Sequence, residues 1–114
     1  MEAREREVFS YQTSDGVFPF REWRKGMTDP VARATIDARL ARLRGGNLGD
    51  SEPIGGGAHE NKIYFGPGYR IYYATKGESL ILLWGGDKST QKGDTVLARR
   101  YWSAKTKTAG KMKK

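Results

Sequence analysis

The segment that decides the fold reads Tyr-Phe-Gly-Pro-Gly-Tyr-Arg-Ile-Tyr-Tyr and covers residues 64–73. Its Gly-Pro-Gly at residues 66–68 is short enough to connect two antiparallel strands as a hairpin. With those three residues as the loop, the predicted pairs are Phe65 with Tyr69, Tyr64 with Arg70, Ile63 with Ile71 and Lys62 with Tyr72. Because successive side chains of a strand point to opposite faces, this pairing sorts them into two sets.

The two faces of the predicted hairpin differ in chemistry. One face is apolar and is expected to carry helices: Ile63, Phe65, Tyr69, Ile71 and Tyr73. The other face holds two cations and two phenols and no acid: Lys62, Tyr64, Arg70 and Tyr72. Arginine offers a bidentate fork for phosphate, and tyrosine rings offer surfaces on which unpaired bases stack. This second face is therefore typical of contact with RNA.

The rest of the chain predicts a small α+β domain around this hairpin. Strands are expected at about residues 8–13, 58–65, 69–75 and 79–85, with a loop at residues 45–57. A short helix is expected from Pro19, and a second one is expected from Asp29-Pro30 to the glycines at residues 45–46. A last helix is expected at about residues 94–104, so that residues 1–104 form one domain. The basic segment 105–114 is predicted to be a disordered tail.

The composition of the chain narrows the range of possible functions. The 114 residues carry a net charge of +8, with nine Lys/Arg and nine Asp/Glu in residues 1–57 and twelve against four in residues 58–114. Such an asymmetry favours binding to a polyanion, although a solubilising role for the charge is the plainer alternative. The lack of cysteine and the single histidine exclude a disulfide framework and a thiolate or multi-histidine metal site. No membrane span or signal peptide is expected, which predicts a cytoplasmic protein.

Four motifs resemble the HigB-like toxins (the "addiction module killer protein" family) of the RelE/ParE superfamily, which belong to type II toxin–antitoxin systems. They are the hairpin at residues 64–73, Leu-Ile-Leu-Leu-Trp-Gly-Gly-Asp-Lys-Ser-Thr-Gln at 80–91, Phe-Arg-Glu-Trp at 20–23 and Arg-Leu-Ala-Arg-Leu-Arg-Gly-Gly-Asn-Leu-Gly-Asp at 39–50. Their order and spacing match over about residues 7–104. The resemblance implies a RelE/ParE-like fold in which two N-terminal helices pack on one face of a mostly antiparallel sheet, with a C-terminal helix.

The resemblance also implies ribosome-dependent cleavage of mRNA without a metal or other cofactor. The implied partners are the ribosome, mRNA and a cognate antitoxin, expected to be a helix-turn-helix protein. Carried over to this sequence, the catalytic candidates are Arg70, Lys88 and Lys62. The RNA-binding candidates are Tyr64, Tyr72, Lys92, Arg99 and Arg100.

The chemistry of RNA cleavage suggests roles for these residues. Arg70 is expected to stabilise charge on the phosphate, and Lys88 to assist it or to protonate the leaving oxygen. Lys62 is expected to hold phosphate, or to act as a base if nearby cations lower its pKa. The general base otherwise stays open, since His59 and Asp87 are interpreted as incidental and as a loop-ordering residue. The glycine-rich segment 85–93 lacks the spacing of a nucleotide-binding P-loop.

Two other functions remain open at this stage. A ParE-like protein would inhibit DNA gyrase by binding and would need no active site, because one superfamily hosts both activities. The third possibility is a passive nucleic-acid-binding module. The cations on the hairpin face favour the nuclease over the gyrase inhibitor, which has no need for Arg70 there.

Overall fold

The computed structural model of the protein describes residues 5–106 and 111–113. In chain order its elements are β1 (Glu7–Gln12), α1 (Pro19–Lys25), α2 (Pro30–Arg44), β2 (Ser51–Gly55), β3 (Ala58–Ile63), β4 (Tyr69–Lys76), β5 (Ser79–Gly86), α3 (Gln91–Thr106) and β6 (Lys111–Lys113). A single 3-10 turn, Lys88–Thr90, precedes α3. Within the described residues the strands form one sheet in the order β2-β3-β4-β5-β1-β6, antiparallel except for β1 beside β5. The predicted α+β class is confirmed, as is the C-terminal helix.

The first two helices begin and end where local chemistry predicts. Pro19 occupies the first position of α1, and Gly26 follows its last residue. The side chain of Asp29 accepts a hydrogen bond from the backbone N–H of Val31 at 2.9 Å, which caps α2. Pro30 needs no amide partner at the first helical position, so it suits this start.

Two clusters of buried side chains form the core. The first contains Phe20 of α1, Ile36 and Leu43 of α2, and the sheet residues Ile63, Ile71, Tyr73, Leu80 and Leu82. The second contains Ala98 of α3 together with Tyr11, Ala58, Tyr72, Ala74, Ile81 and Leu83. Because Ile71 and Tyr72 are consecutive in β4, the clusters lie on opposite sides of the sheet. Each fully buried Leu or Ile contributes about 1.5–3 kcal/mol relative to an exposed one.

The register of the central hairpin differs from the prediction. Lys62 lies opposite Arg70, and Ile63 opposite Tyr69. The predicted pairing is therefore wrong by two residues, and residues 64–68 connect the strands instead of 66–68. A shift of two residues moves no side chain to the other face of the sheet. The predicted division of side chains between the two faces therefore holds for the residues that lie in the strands.

Three further segments differ from the sequence-based expectations. The predicted loop at residues 45–57 contains β2, which pairs antiparallel with β3. The register of this pairing shifts between Pro53 and Gly55. Helix α3 begins at Gln91, three residues before its predicted start, and runs to Thr106. Within the predicted tail, Lys111–Lys113 pair with β1, while residues 107–110 and 114 lie outside the described residues. No helix in the described part of the chain combines the length and apolar character needed to cross a bilayer.

Candidate functional site

The hairpin loop and the turn after β5 bring two of the predicted catalytic residues together at Gly68. The backbone N–H of Lys88 donates to the carbonyl of Pro67 at 3.3 Å, which joins the two segments. A Cβ built on Gly68 would lie 3.4 Å from Cβ of Lys88 and 3.5 Å from Nη1 of Arg70. Gly68 also has a φ of 78°, a conformation that favours glycine. This glycine therefore permits the close approach of both basic residues, and we call the surrounding region the Gly68 site.

Arg70 is buried and forms an ion pair, in contrast to the open position expected from the sequence. Only 8% of Arg70 and 2% of Glu60 are exposed, and Arg70 Nε lies 3.5 Å from Glu60 Oε2. Arg70 Nη1 donates to the carbonyl of Gly68 at 2.8 Å. The amide of Gln91 donates to both carboxylate oxygens of Glu60, at 3.1 and 2.9 Å. The expectation of a hairpin face without acids is wrong, because Glu60 lies on it.

Tyr72 is covered by α3 and cannot serve as a surface for base stacking. Its exposed fraction is 0%, and it packs in the same cluster as Ala98. Burial raises the pKa of Tyr72, and the negative charges of Glu60 and Asp94 raise it further. Its hydroxyl has no hydrogen-bond partner within the described residues. The interpretation of Tyr72 as an RNA-binding residue is therefore corrected for this structure.

Lys62 and Tyr64 lie at the edge of the same face, each beside an acid. Lys62 is half-buried, and its Nζ lies 3.2 Å from Oε1 of Glu52. The hydrogen bond to Glu52 raises the pKa of Lys62, which is opposite to the shift that a general base needs. The phenol of Tyr64 donates to Asp50, while the residue as a whole is 80% exposed. Lys62 is thus suited to holding an anion, and Tyr64 to stacking on a base.

The cations of α3 take two different positions. Lys92 and Arg100 are exposed. Arg99 is half-buried, and its Nη1 donates to the carbonyl of Ile54 in β2 at 2.9 Å. Arg99 therefore links α3 to the edge of the sheet, whereas Lys92 and Arg100 remain available to a polyanion.

Sequence reasoning missed two residues of this region. Phe65 was assigned to the apolar face, yet it is 38% exposed in the hairpin loop next to Tyr64. Glu60 lies two residues before Lys62, so the alternation of side chains places it on the same face as Lys62, and the observed register then places it opposite Tyr72. Among the described residues, no group of three or more His, Cys, Asp or Glu side chains is arranged to hold a metal ion.

The comparisons with known proteins give one relative. No family model matches the chain, and no solved structure matches it. An uncharacterized protein of Haemophilus influenzae is 42% identical over 81 residues, which span 70% of this chain and 82% of that protein. The chain belongs to the family of this Haemophilus protein. Because that relative is uncharacterized, membership of its family assigns no activity to this chain.

Proposed function

We propose that this protein is the toxin of a type II toxin–antitoxin module and that it cleaves mRNA on translating ribosomes as a metal-independent endoribonuclease. In this proposal it is a HigB-like member of the RelE/ParE superfamily, with α1 and α2 packed on one face of the sheet. Its partners are the ribosome, mRNA and a helix-turn-helix antitoxin, and it acts in the cytoplasm without a cofactor. The observation that carries the proposal is the convergence of Arg70 and Lys88 at Gly68, beside two exposed aromatic rings.

The reaction needs charge stabilisation more than any other contribution. The 2′-hydroxyl of the RNA loses its proton to water and its oxygen attacks the adjacent phosphorus, the bond to the 5′-oxygen breaks, and the products are a 2′,3′-cyclic phosphate and a 5′-hydroxyl. Arg70 stabilises the extra negative charge on the phosphoryl oxygens, and its guanidinium is held in place by Glu60 and by the carbonyl of Gly68. Lys88 is exposed, so it is able to reach the leaving 5′-oxygen and protonate it.

The remaining residues of the Gly68 site bind the substrate. Exposed Tyr64 and Phe65 offer adjacent rings to unstacked bases, and each such contact is worth about 1–3 kcal/mol. Lys62 stays protonated beside Glu52 and holds a phosphate. Lys92 and Arg100 extend the positive surface along α3.

One observation favours a second candidate, a ParE-like inhibitor of DNA gyrase. Glu60 neutralises part of the charge of Arg70, and both side chains are almost fully buried. A protein that only binds gyrase needs no open catalytic arginine. A passive nucleic-acid-binding module would be equally compatible with this pairing.

The deciding experiment incubates a reporter mRNA with the purified protein, either in a translating mixture or in the same mixture without ribosomes. We expect cleavage only when ribosomes translate the message, and we expect Lys88→Ala to slow it about 100-fold or more. Lys76→Ala is the matched control, since Lys76 is also exposed but lies at the end of β4, outside the Gly68 site. Intact mRNA together with gyrase that no longer relaxes or supercoils DNA would replace this proposal by the second candidate. Intact mRNA with normal gyrase would leave only the passive module.

A further inference from the structure

The three-residue turn that carries Lys88 connects β5 to α3 and spans Lys88–Thr90. Lysine has a long, flexible side chain, so the reach of its ammonium depends on where the backbone of the turn is held. A backbone contact ties the turn to the hairpin loop, because the N–H of Lys88 donates to the carbonyl of Pro67 at 3.3 Å. A 3-10 turn is short, and its own hydrogen bonds have poorer geometry than those of an α-helix. The place of Lys88 therefore depends on the side chains around the turn.

Hydrogen bonds within the turn fix its shape. Oδ1 of Asp87 accepts from the N–H of Ser89 at 2.8 Å and from the hydroxyl of Ser89 at 2.5 Å. In return, the N–H of Asp87 donates to Oγ1 of Thr90 at 3.2 Å, which completes a capping box. These bonds join residues 87–90 to one another. They close the turn on itself and leave its position relative to the sheet to other contacts.

The hydroxyl of Thr90 links this closed turn to the rest of the protein. It donates to Oδ2 of Asp94 in the first turn of α3. The carbonyl of Asp87 is a second acceptor at 3.3 Å, but the carboxylate is closer and charged, so it takes the single hydroxyl hydrogen. Oδ1 of Asp94 accepts in turn from Nε1 of Trp84 in β5 at 2.8 Å. A chain of hydrogen bonds thus runs from the sheet through α3 to the turn of Lys88.

Gly86 shows how closely this chain approaches the Gly68 site. A Cβ built on Gly86 would lie 2.9 Å from Oγ1 of Thr90 and 1.9 Å from Oδ2 of Asp94. Gly86 lies directly opposite Arg70 in the sheet. The hydrogen bond between Thr90 and Asp94 therefore rests on the strand position beside Arg70.

We propose that Thr90 is a positioning residue of the nuclease: its hydroxyl, held by Asp94, sets the place from which Lys88 protonates the leaving 5′-oxygen. This inference rests on the proposed function. Thr90 acts through Lys88, because its hydroxyl hydrogen is used by Asp94 and its oxygen accepts the N–H of Asp87. Ser89 also has a hydroxyl, but that hydroxyl donates within the turn and does not link the turn to α3.

Thr90→Val tests this link, because it removes the hydroxyl and keeps the branched shape of the side chain. We expect it to lower kcat for cleavage of a reporter mRNA on translating ribosomes by about tenfold or more and to change KM by less than about twofold. The reason is that a small displacement of a catalytic group slows the chemical step without weakening substrate binding. Thr90→Ser keeps the hydroxyl and should retain kcat within about threefold. Thr95→Val is the matched control, since the hydroxyl of Thr95 donates to the carbonyl of Lys92 within α3.

A double variant separates positioning from a general structural effect. If Thr90 acts through Lys88, Thr90→Val should change kcat by less than about twofold in a protein that already carries Lys88→Ala. The same tenfold loss in both backgrounds would refute the proposal, because Thr90 would then act independently of Lys88. An unchanged kcat in the single variant Thr90→Val would refute it as well.

A second variant breaks the same hydrogen bond from its other end. Asp94→Ala removes the acceptor of the Thr90 hydroxyl and is expected to lower kcat in the same way. If Thr90→Val does not fold, the comparison with Lys88→Ala is made with Asp94→Ala, and an additive loss there would refute the proposal in the same manner.

Nuclear Overhauser effects between Hα of Gly68 and Hβ of Lys88 report the position of the turn without any measurement of activity. A Cβ on Gly68 would lie 3.4 Å from Cβ of Lys88, so these signals are expected in the unmodified protein. Thr90→Val should weaken them, and signals of unchanged intensity would overturn the proposal. Intact mRNA with the unmodified protein would remove the proposed function and this inference together. Cleavage at the full rate by Thr90→Val would remove this inference alone.

Discussion

Glu60→Ala is expected to destabilise the protein by about 3 kcal/mol, because it leaves the guanidinium of Arg70 buried without an anionic partner. Removing one member of a buried ion pair usually costs about 3–5 kcal/mol. The lower end applies here, since Arg70 keeps 8% exposure and its hydrogen bond to the carbonyl of Gly68. The same substitution also deprives the amide of Gln91 of both acceptor oxygens. Arg70→Ala is expected to cost a similar amount, because it leaves a carboxylate that is only 2% exposed.

The assay is urea unfolding at pH 7, followed by tryptophan fluorescence. Comparing Glu60→Ala, Arg70→Ala and the double variant in a double-mutant cycle should give a coupling energy of about 2 kcal/mol or more. Glu60→Leu/Arg70→Met replaces the pair by apolar side chains, and we expect its stability to lie within about 1 kcal/mol of the unmodified protein. An unchanged m-value would show that the unfolded state is not responsible for the differences.

A coupling energy below about 0.5 kcal/mol would refute the reasoning, because it would mean that water screens the pair as it screens a surface ion pair. The result also affects the test of function. If Arg70→Ala is unstable, its loss of activity says nothing about catalysis. Glu60→Leu/Arg70→Met is expected to be folded but inactive, and it therefore separates the structural role of Arg70 from its proposed role at the phosphate.

Three other predictions follow from single contacts. Because burial raises the pKa of Tyr72, the unfolded chain releases the phenol proton near pH 10 while the folded chain keeps it. The free energy of unfolding therefore falls above about pH 10, by up to about 1.4 kcal/mol per pH unit for this group. Tyr72→Phe should remove that part of the fall, as measured by urea unfolding at pH 9 and 11. Gly86→Ala should lower the free energy of unfolding by about 1–3 kcal/mol in urea, because the new Cβ would lie 1.9 Å from Oδ2 of Asp94. Gly93→Ala is the control, since the space around Gly93 is open, and it should not destabilise the protein. Asp29→Ala should lower the thermal midpoint by removing a cap worth about 1 kcal/mol, and no change would mean that the cap is replaced by water.

Features that depend on neighbouring residues were predictable from the sequence. Helices α1 and α2 start at Pro19 and Pro30 and end at glycines, because capping depends on a few consecutive residues. The three central strands also lie close to their predicted ranges. Strand β2 was not predictable in the same way, since Pro53 and the surrounding glycines are typical of a loop. It becomes a strand because β3 supplies a hydrogen-bonding edge beside it.

Features that depend on distant residues were not predictable. Alternation along β3 and β4 determines which side chains share a face but leaves the register open to shifts of two residues. The Gly-Pro-Gly sequence pointed to a three-residue loop, whereas the chain turns over residues 64–68, with Gly68 N–H donating to the carbonyl of Phe65 at 3.1 Å. Which face α3 covers depends on the path of the chain after β5. The open cationic face expected from the hairpin alone is therefore partly a helix-packing surface.

The glycines at the end of β5 explain why the Gly68 site has its geometry. In the sequence, Gly85 and Gly86 begin the glycine-rich segment 85–93, which lacks the spacing of a P-loop. A Cβ on Gly85 would lie 2.1 Å from the ring of Trp23 on α1, and one on Gly86 would meet Asp94 on α3. Gly86 also lies directly opposite Arg70 in the sheet. Both helices thus approach the strand end closely because these residues lack side chains, and that approach fixes the turn that carries Lys88. The two glycines act on the proposed active site through packing, without contacting a substrate.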